Sequence, residues 1–219
     1  MVTICISGMI GSGKTTLARL LAKDLGTDVY FEPVDDNPII EDYYLGNKLV
    51  AQGEEDRNPY AFLMQVYLLN RRFSMIKDAM WRDNNVLDRS IYEDRIFMKV
   101  NRDMGTISEN EWNVYKDLFD NMMEELPLAA HKKAPDLMVY ISASYDTVMR
   151  RIRKRGRSFE QVEDDPGLED YYKLLLGNYE LWAQDYSASP LVQIDGDRYD
   201  FVEHYADRHS VLAQIEKML

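Results

Sequence analysis

The sequence predicts a three-layer α/β fold in which a five-stranded parallel sheet carries helices on both faces. Short apolar segments alternate with helical segments along the chain, and parallel strands need such crossover connections. A glycine-rich loop directly after the first apolar segment fits the same fold class. With 219 residues, the chain is expected to form a single domain, 1–219. The predicted strands are 2–7, 28–32, 85–87, 137–141 and 191–194.

Capping signals predict the helices between these strands. The first helix leaves the glycine loop and ends before Gly26, a residue typical of helix C-termini. Asn58 and the following proline indicate the start of a helix that continues to about residue 80. Ser108 and Glu111 form a capping box, and the Met- and aromatic-rich stripe on the helix that follows predicts a core or subunit-interface face rather than a cofactor-binding one. Further helices are predicted from about 144, over 169–186 and over 200–218. The polar segment 45–58 is predicted to be a surface loop.

Composition and charge exclude several classes of protein. The net charge is −12, which argues against a general nucleic-acid binder. No apolar run reaches about 18 residues, so no membrane span is predicted. The single cysteine, Cys5, lies among apolar neighbours and cannot form an intrachain disulfide. A strand follows Met1 directly, with no room for a signal peptide, so we expect a cytoplasmic protein.

The first predicted strand runs into Gly8-Met-Ile-Gly-Ser-Gly-Lys-Thr15, which matches the phosphate-loop pattern G-x-x-x-x-G-K-[ST]. Glycines let backbone amides converge on phosphate oxygens, and the helix N-terminus adds partial positive charge. Lys14 is expected to reach the β- and γ-phosphates, and the Thr15 hydroxyl is expected to bind Mg²⁺. The predicted ATP-binding residues of this segment are Gly8, Gly11, Ser12, Gly13, Lys14, Thr15 and Thr16.

More motifs follow the loop in a fixed order. They are Glu32-Pro33-Val34, Gln65 with Arg72, Asp88-Arg89-Ser90 with Asp94-Arg95, and Arg151, Arg155 and Arg157 with Glu160. This series resembles the deoxyribonucleoside kinase family over residues 8–195. It looks most similar to the bacterial purine deoxynucleoside kinases, also in segments 35–38 and 194–197. The resemblance implies a P-loop kinase fold with an arginine-rich lid at about 150–165.

The strand ends carry the residues expected to act on the transferred phosphoryl group. A carboxylate at the carboxyl edge of the sheet can accept the proton of an attacking hydroxyl, and the family gives Glu32 that role toward the 5′-hydroxyl. Asp88 is expected to hold Mg²⁺ directly or through water. In the family, Arg89 contacts both the hydroxyl and the phosphoryl group, although a purely structural Asp88–Arg89 ion pair is the alternative.

The acceptor site is predicted from the resemblance and from helical spacing. Gln65 and Arg72 are two helical turns apart and so project from one face. The family places Gln65 against the base, and an Arg72–Asp94 pair beside it accompanies purine or deoxycytidine use. The residues implied to hold the 3′-hydroxyl are Tyr44, with Tyr43 as the alternative, and Glu160.

One basic cluster stands out in this acidic chain. Arg151 and Arg155 share a helix face, and Arg157 follows Gly156. We expect these three arginines to bind ATP phosphates as a closing lid, rather than to form a solvated basic face.

The sequence therefore predicts an ATP- and Mg²⁺-dependent deoxynucleoside 5′-kinase for nucleotide salvage, with deoxyadenosine favoured and deoxyguanosine or deoxycytidine possible. The family implies a homodimer, or a heterodimer with a related kinase subunit. A monophosphate kinase resembling thymidylate kinase is one alternative, but it would need cations for its acceptor's phosphate. A P-loop switch is another, although no Asn-Lys-x-Asp motif is found.

Overall fold

The computed structural model describes residues 2–32, 37–82, 84–129 and 134–219. Within them, five parallel strands form one sheet in the order β2-β3-β1-β4-β5. The strands are β1 Thr3–Gly8, β2 Asp28–Tyr30, β3 Asn85–Asp88, β4 Leu137–Ser142 and β5 Leu191–Asp195. The predicted fold class is confirmed. Residues 33–36, which include Pro33, Val34 and half of segment 35–38, lie outside the described residues.

Helices connect consecutive strands and cover both faces of the sheet. The α-helices are α1 Lys14–Leu25, α2 Ile40–Ala51, α3 Ala61–Trp81, α4 Asp94–Asp103, α5 Glu109–Ala129, α6 Tyr145–Arg155, α7 Gly167–Asp185 and α8 Tyr205–Glu216. Short 3₁₀ turns at Ile91–Glu93 and Ser158–Glu160 precede α4 and α7. No helix within the described ranges is long and apolar enough to cross a membrane.

The alternation of side chains along the strands separates two hydrophobic cores. On β1, Ile4 and Ile6 pack with α1 and α8, whereas Cys5 faces the opposite core with α3, α4, α5 and α7. On β4, Val139 lies in the same core as Ile4 and Ile6, and Tyr140 lies in the same core as Cys5. Helices therefore bury both faces of the sheet, and its carboxyl edge is where the predicted site residues meet.

Two helical segments differ in kind from the sequence-based prediction, and α8 begins later than predicted, at Tyr205 instead of residue 200. The segment 45–58 was expected to be a loop, but its first half belongs to α2, and only the residues after Ala51 leave the helix. Buried Tyr43 and Asn47 hold α2 against the start of α3, so tertiary contacts override its polar composition. Helix α4 was not predicted, although Phe97 and Met98 are buried on its inner side.

Candidate active site

The carboxyl ends of the central strands bring the predicted phosphate and catalytic residues together. Ile6 of β1 is in register with Asp88 of β3, and the glycine loop follows two residues later. Glu32 lies two residues beyond the end of β2, which is shorter than predicted. Ligands of open parallel sheets bind at this edge, so the topology brings residues from three strands to one place.

The glycine loop has the backbone that its motif predicts. Gly8 has φ 146 and Gly13 has φ 102, in the region that favours glycine. A Cβ added at Gly8 would lie 2.8 Å from the carbonyl oxygen of Ile141. Gly13 is the N-cap of α1, so the free amides of the first helical turn surround the loop. This arrangement provides an anion-binding cradle.

Lys14 is buried at the floor of this cradle. Its Nζ donates a hydrogen bond of 2.8 Å to the carbonyl oxygen of Met9. Burial, together with the charge of Arg89, lowers the pKa of Lys14 to about 7. The ammonium form therefore needs an anionic partner to be fully stabilised, and a bound polyphosphate would supply one.

Thr15 and Asp88 form the part of the site that fits a metal ion. The Thr15 hydroxyl donates to Asp88 Oδ2 at 2.6 Å, while Oδ1 of Asp88 is buried without a hydrogen-bond partner. Burial raises the pKa of Asp88 above its usual value. The described residues contain no group of three or more metal-ligating side chains. This sparse oxygen set fits Mg²⁺, which takes one or two protein ligands besides phosphates and water.

Glu32 is held between two buried arginines. One carboxylate oxygen accepts a hydrogen bond from Arg72, and the other accepts from Arg89 Nε at 2.9 Å. Burial alone would raise the pKa of Glu32, but the charges of Arg72 and Arg89 outweigh it and hold this pKa well below its usual range. The side chain is therefore an ionised hydrogen-bond acceptor at neutral pH.

The predicted base-binding residues lie on α3 and α4. Arg72 is buried and pairs with Asp94 as well as with Glu32, whereas the adjacent Arg71 is exposed. Gln65 is 2% exposed, and its Oε1 has no hydrogen-bond partner. Asp94 stands behind Arg72 and orients its guanidinium rather than lining the cavity.

The two tyrosines at the predicted sugar site have different surroundings. Tyr43 donates a hydrogen bond of 3.1 Å to Asn101 Oδ1. Tyr44 packs against the ring of Phe159, with centroids 5.1 Å apart, and its pKa is raised well above the usual value by burial and by nearby Tyr172 and Glu160. Tyr44 is therefore the better placed partner for Glu160.

One cavity of about 340 Å³ joins the phosphate and acceptor residues. Its lining includes the predicted residues Gly11, Lys14, Thr15, Glu32, Tyr44 and its alternative Tyr43, Gln65, Arg72, Asp88, Arg89, Arg155, Arg157 and Glu160. A second cavity of about 540 Å³ adjoins the glycine loop, and its lining includes Gly13 and Thr16 with Arg150, Arg151 and Arg155 of α6. Lys14 and Thr15 border both cavities, so they stand where a donor and an acceptor would meet.

The three lid arginines are all paired with other groups of the chain. Arg151 donates to the carbonyl oxygens of Ser12 at 2.9 Å and Gly196 at 2.8 Å, so it braces the glycine loop. Arg155 and Arg157 both pair with Glu160, the residue predicted to hold the sugar. The lid segment and the sugar site are thus joined by ion pairs, which the sequence-based prediction did not include.

Three further residues belong to the site but were missed from the sequence. Buried Asn37 lines the main cavity, and Tyr179 accepts a hydrogen bond from Arg89. Glu93 is fully buried and also contacts Arg89. The sequence did carry a signal for Glu93, because Ser90 followed by Glu93 matches a capping box directly after the β3 motif.

The fold and the site define a P-loop nucleotide-binding protein. Comparison with known proteins identifies the family within this class, because residues 4–219 match the family described as deoxynucleoside kinase. The chain belongs to the deoxynucleoside kinase family, as the motifs predicted, and it is an ATP-dependent phosphotransferase acting on deoxynucleosides.

Its relatives include a deoxyguanosine kinase of Lactobacillus acidophilus, 50% identical over 98% of this chain and 90% of the relative. A deoxyadenosine kinase of the same organism is 45% identical over 99% of this chain and 95% of the relative. Among solved structures, the deoxyadenosine kinase from M. mycoides with bound dCTP has a TM-score of 0.76 at 30% identity, covering 98% of this chain and 99% of that one.

Proposed function

We propose that this kinase transfers the γ-phosphoryl group of ATP to the 5′-hydroxyl of a purine deoxynucleoside, with Glu32 as the proton acceptor. The observation that carries this proposal is the shared cavity. Glu32, Lys14 and Asp88 line this cavity together with Gln65 and Glu160. A base, a sugar and a terminal phosphate could therefore bind along one path.

The chemistry follows from the charges around Glu32. An ionised carboxylate can accept the hydrogen of a 5′-hydroxyl and take its proton as the new P–O bond forms. Arg89, already hydrogen-bonded to Glu32, can contact the same hydroxyl and an oxygen of the transferred group. Lys14 and the loop amides neutralise charge that moves to the leaving phosphate.

Mg²⁺ is proposed as the cofactor that accompanies ATP. Thr15 and Asp88 would hold it, because their oxygens lie together and Asp88 Oδ1 is buried without a protein partner. The ion would supply charge neutralisation on the phosphates. Arg155 and Arg157 would bind phosphate oxygens from the lid side, and Arg151 would hold the loop in place.

Deoxyadenosine is the proposed preferred acceptor. A glutamine amide matches adenine with one accepted and one donated hydrogen bond, and Oε1 of Gln65 is buried without a partner. Arginine is the usual bidentate partner of guanine, but the Arg72 guanidinium is already shared between Glu32 and Asp94. The names of the relatives include both purine specificities, so both bases belong in the test.

A substrate panel tests this proposal. Release of ADP is measured with the four deoxynucleosides, and with deoxynucleoside monophosphates as controls. We expect the highest kcat/KM with deoxyadenosine and no turnover of monophosphates. A preference for deoxyguanosine would contradict the base assignment alone, whereas equal rates with Glu32→Gln would contradict the assignment of the proton acceptor.

A cytoplasmic homodimer, or a heterodimer with a related kinase subunit, is the proposed state of the protein. On α5, Tyr115 and Phe119 of the Met- and aromatic-rich stripe are buried, so these two residues pack in the core of the subunit. Val114 on the same helix is 55% exposed and is available for contact with a second subunit. Light scattering of the purified protein would measure the oligomeric state directly.

A further inference from the structure

Glu93 is a fully buried carboxylate beside the phosphate loop, and nothing in the proposed reaction uses it. It ends the 3₁₀ turn Ile91–Glu93 between β3 and α4. A buried carboxylate is costly unless its oxygens are hydrogen-bonded, so its contacts indicate why it lies there.

Both oxygens of Glu93 are engaged by the ends of two central strands. Oε2 accepts hydrogen bonds from the Ser7 hydroxyl at 2.9 Å and from the Gly8 amide at 3.4 Å. Oε1 accepts from the Ser90 amide at 2.9 Å. Glu93 therefore joins the last residues of β1, where the glycine loop starts, to the residue that follows Arg89.

Arg89 itself is held in an uncommon conformation. Its φ of 79 lies in the left-handed region, which a residue with a Cβ adopts only when its surroundings hold it there. The Arg89 amide donates to the carbonyl oxygen of Ile6 at 2.9 Å. Its Nε donates to Glu32, and its Nη1 contacts Glu93 Oε2 at 3.3 Å and Tyr179. None of these contacts uses Nη2.

We propose that Glu93 is a positioning residue that holds the Arg89 guanidinium in register with the glycine loop. It fixes the side of the guanidinium opposite Glu32, and it binds the loop through Ser7 and Gly8. When Glu32 gives up its hydrogen bond from Arg89 and accepts one from the substrate hydroxyl, Glu93 keeps the Arg89 guanidinium directed at the transferred phosphoryl group. This inference rests on the proposed role of Arg89 in phosphoryl transfer.

The test is a double-mutant cycle between Glu93→Gln and Arg89→Lys, with activity normalised to folded enzyme. Glu111→Gln is the matched control, because Glu111 forms the same kind of capping box with Ser108 at the start of α5, away from the cavity. We expect Glu93→Gln to lower kcat by about 10- to 100-fold, the usual effect of losing a partner behind an active-site group. KM for ATP should change by less than about threefold, since the glycine-loop amides remain in place. The control should keep wild-type kcat.

On the Arg89→Lys background, Glu93→Gln should lower kcat by less than about threefold, because its effect acts through Arg89. The proposal would be overturned if the kcat losses of the two single variants multiplied in the double variant, or if Glu93→Gln kept wild-type kcat. Should Glu93→Gln not fold, Glu93→Asp retains the charge with a shorter side chain, and wild-type kcat in that variant would also overturn it. An Arg89→Lys enzyme with unchanged kcat would instead contradict the proposed function of Arg89.

Discussion

Glu32 Oε2 accepts a 2.9 Å hydrogen bond from Arg89 Nε, so the proposed proton acceptor is paired with the proposed phosphoryl-binding cation. Arg72 engages the other carboxylate oxygen. A carboxylate in this setting is a weak base, since its pKa is held well below the usual range. Such a base suits a loose phosphoryl-transfer transition state, in which the attacking hydroxyl keeps its proton until late.

Replacing Glu32 with glutamine tests this pairing. The amide retains the size of the side chain but cannot take a proton, so kcat should fall by roughly 100-fold or more. KM for ATP should stay nearly constant because the glycine loop is untouched. Steady-state kinetics with deoxyadenosine would measure both values, and an unchanged kcat would exclude Glu32 as the proton acceptor.

The pKa of Lys14 predicts how ATP binding depends on pH. In the protein this pKa is lowered to about 7, and a bound triphosphate should raise it again because the anion favours the ammonium form. Binding above pH 7 must then take up a proton. KM for ATP should be flat below pH 7 and should rise above it, by up to about tenfold per pH unit.

Calorimetry in two buffers of different ionisation enthalpy would measure this proton uptake at pH 8. Lys14→Arg is the control, because arginine stays protonated over the whole range. A wild-type KM for ATP that is independent of pH between 6 and 9 would rule out the lowered pKa.

The buried pair of Arg72 and Asp94 predicts a large stability difference. Asp94→Ala should lower the free energy of unfolding by about 3 kcal/mol or more, because it leaves a buried cation with one partner fewer. Asp120→Ala is the comparison, since it removes the partly exposed pair with Arg95 and should cost less than about 1 kcal/mol. Urea unfolding of both variants measures the difference, and similar losses would contradict the prediction.

Gly46 allows α2 to pack closely against Asn58. A Cβ at this position would overlap the Asn58 side chain, whose Nδ2 donates to the Tyr43 carbonyl and to Asn47 at 2.8 Å each. Gly46→Ala should therefore destabilise the protein by about 1–3 kcal/mol and raise KM for the deoxynucleoside several-fold, with KM for ATP unchanged.

Gly177→Ala provides the matched control for this substitution. Gly177 lies inside α7, and an added Cβ would meet nothing within 4 Å. Alanine should stabilise that helix by about 0.5–1 kcal/mol, since it has the higher helix propensity. Thermal unfolding would show opposite shifts for the two variants, and a stabilised Gly46→Ala protein would disprove the packing argument.

The sequence was sufficient for the fold class and for the residues at the strand ends. Strand alternation and the glycine loop depend on local patterns, so Lys14, Thr15 and Asp88 could be predicted to lie together. Glu32 was predicted as a site residue from the family motif, although it lies beyond the end of β2.

The contacts between distant segments could not be predicted. Glu32 and Arg72 are 40 residues apart in sequence, and no periodicity relates them. Helix α2 looked like a polar loop because the partners that stabilise it, above all Asn58, come from the next segment.

The ion pair between Arg155 and Glu160 has a thermodynamic consequence. Arg155 borders both the cavity beside the glycine loop and the main cavity of about 340 Å³, and Glu160 lines the main cavity. In the proposed binding mode, a sugar hydroxyl that engages Glu160 would compete with this pair and free Arg155 to bind the phosphates. Linkage then requires that ATP and the deoxynucleoside strengthen each other's binding by the same factor.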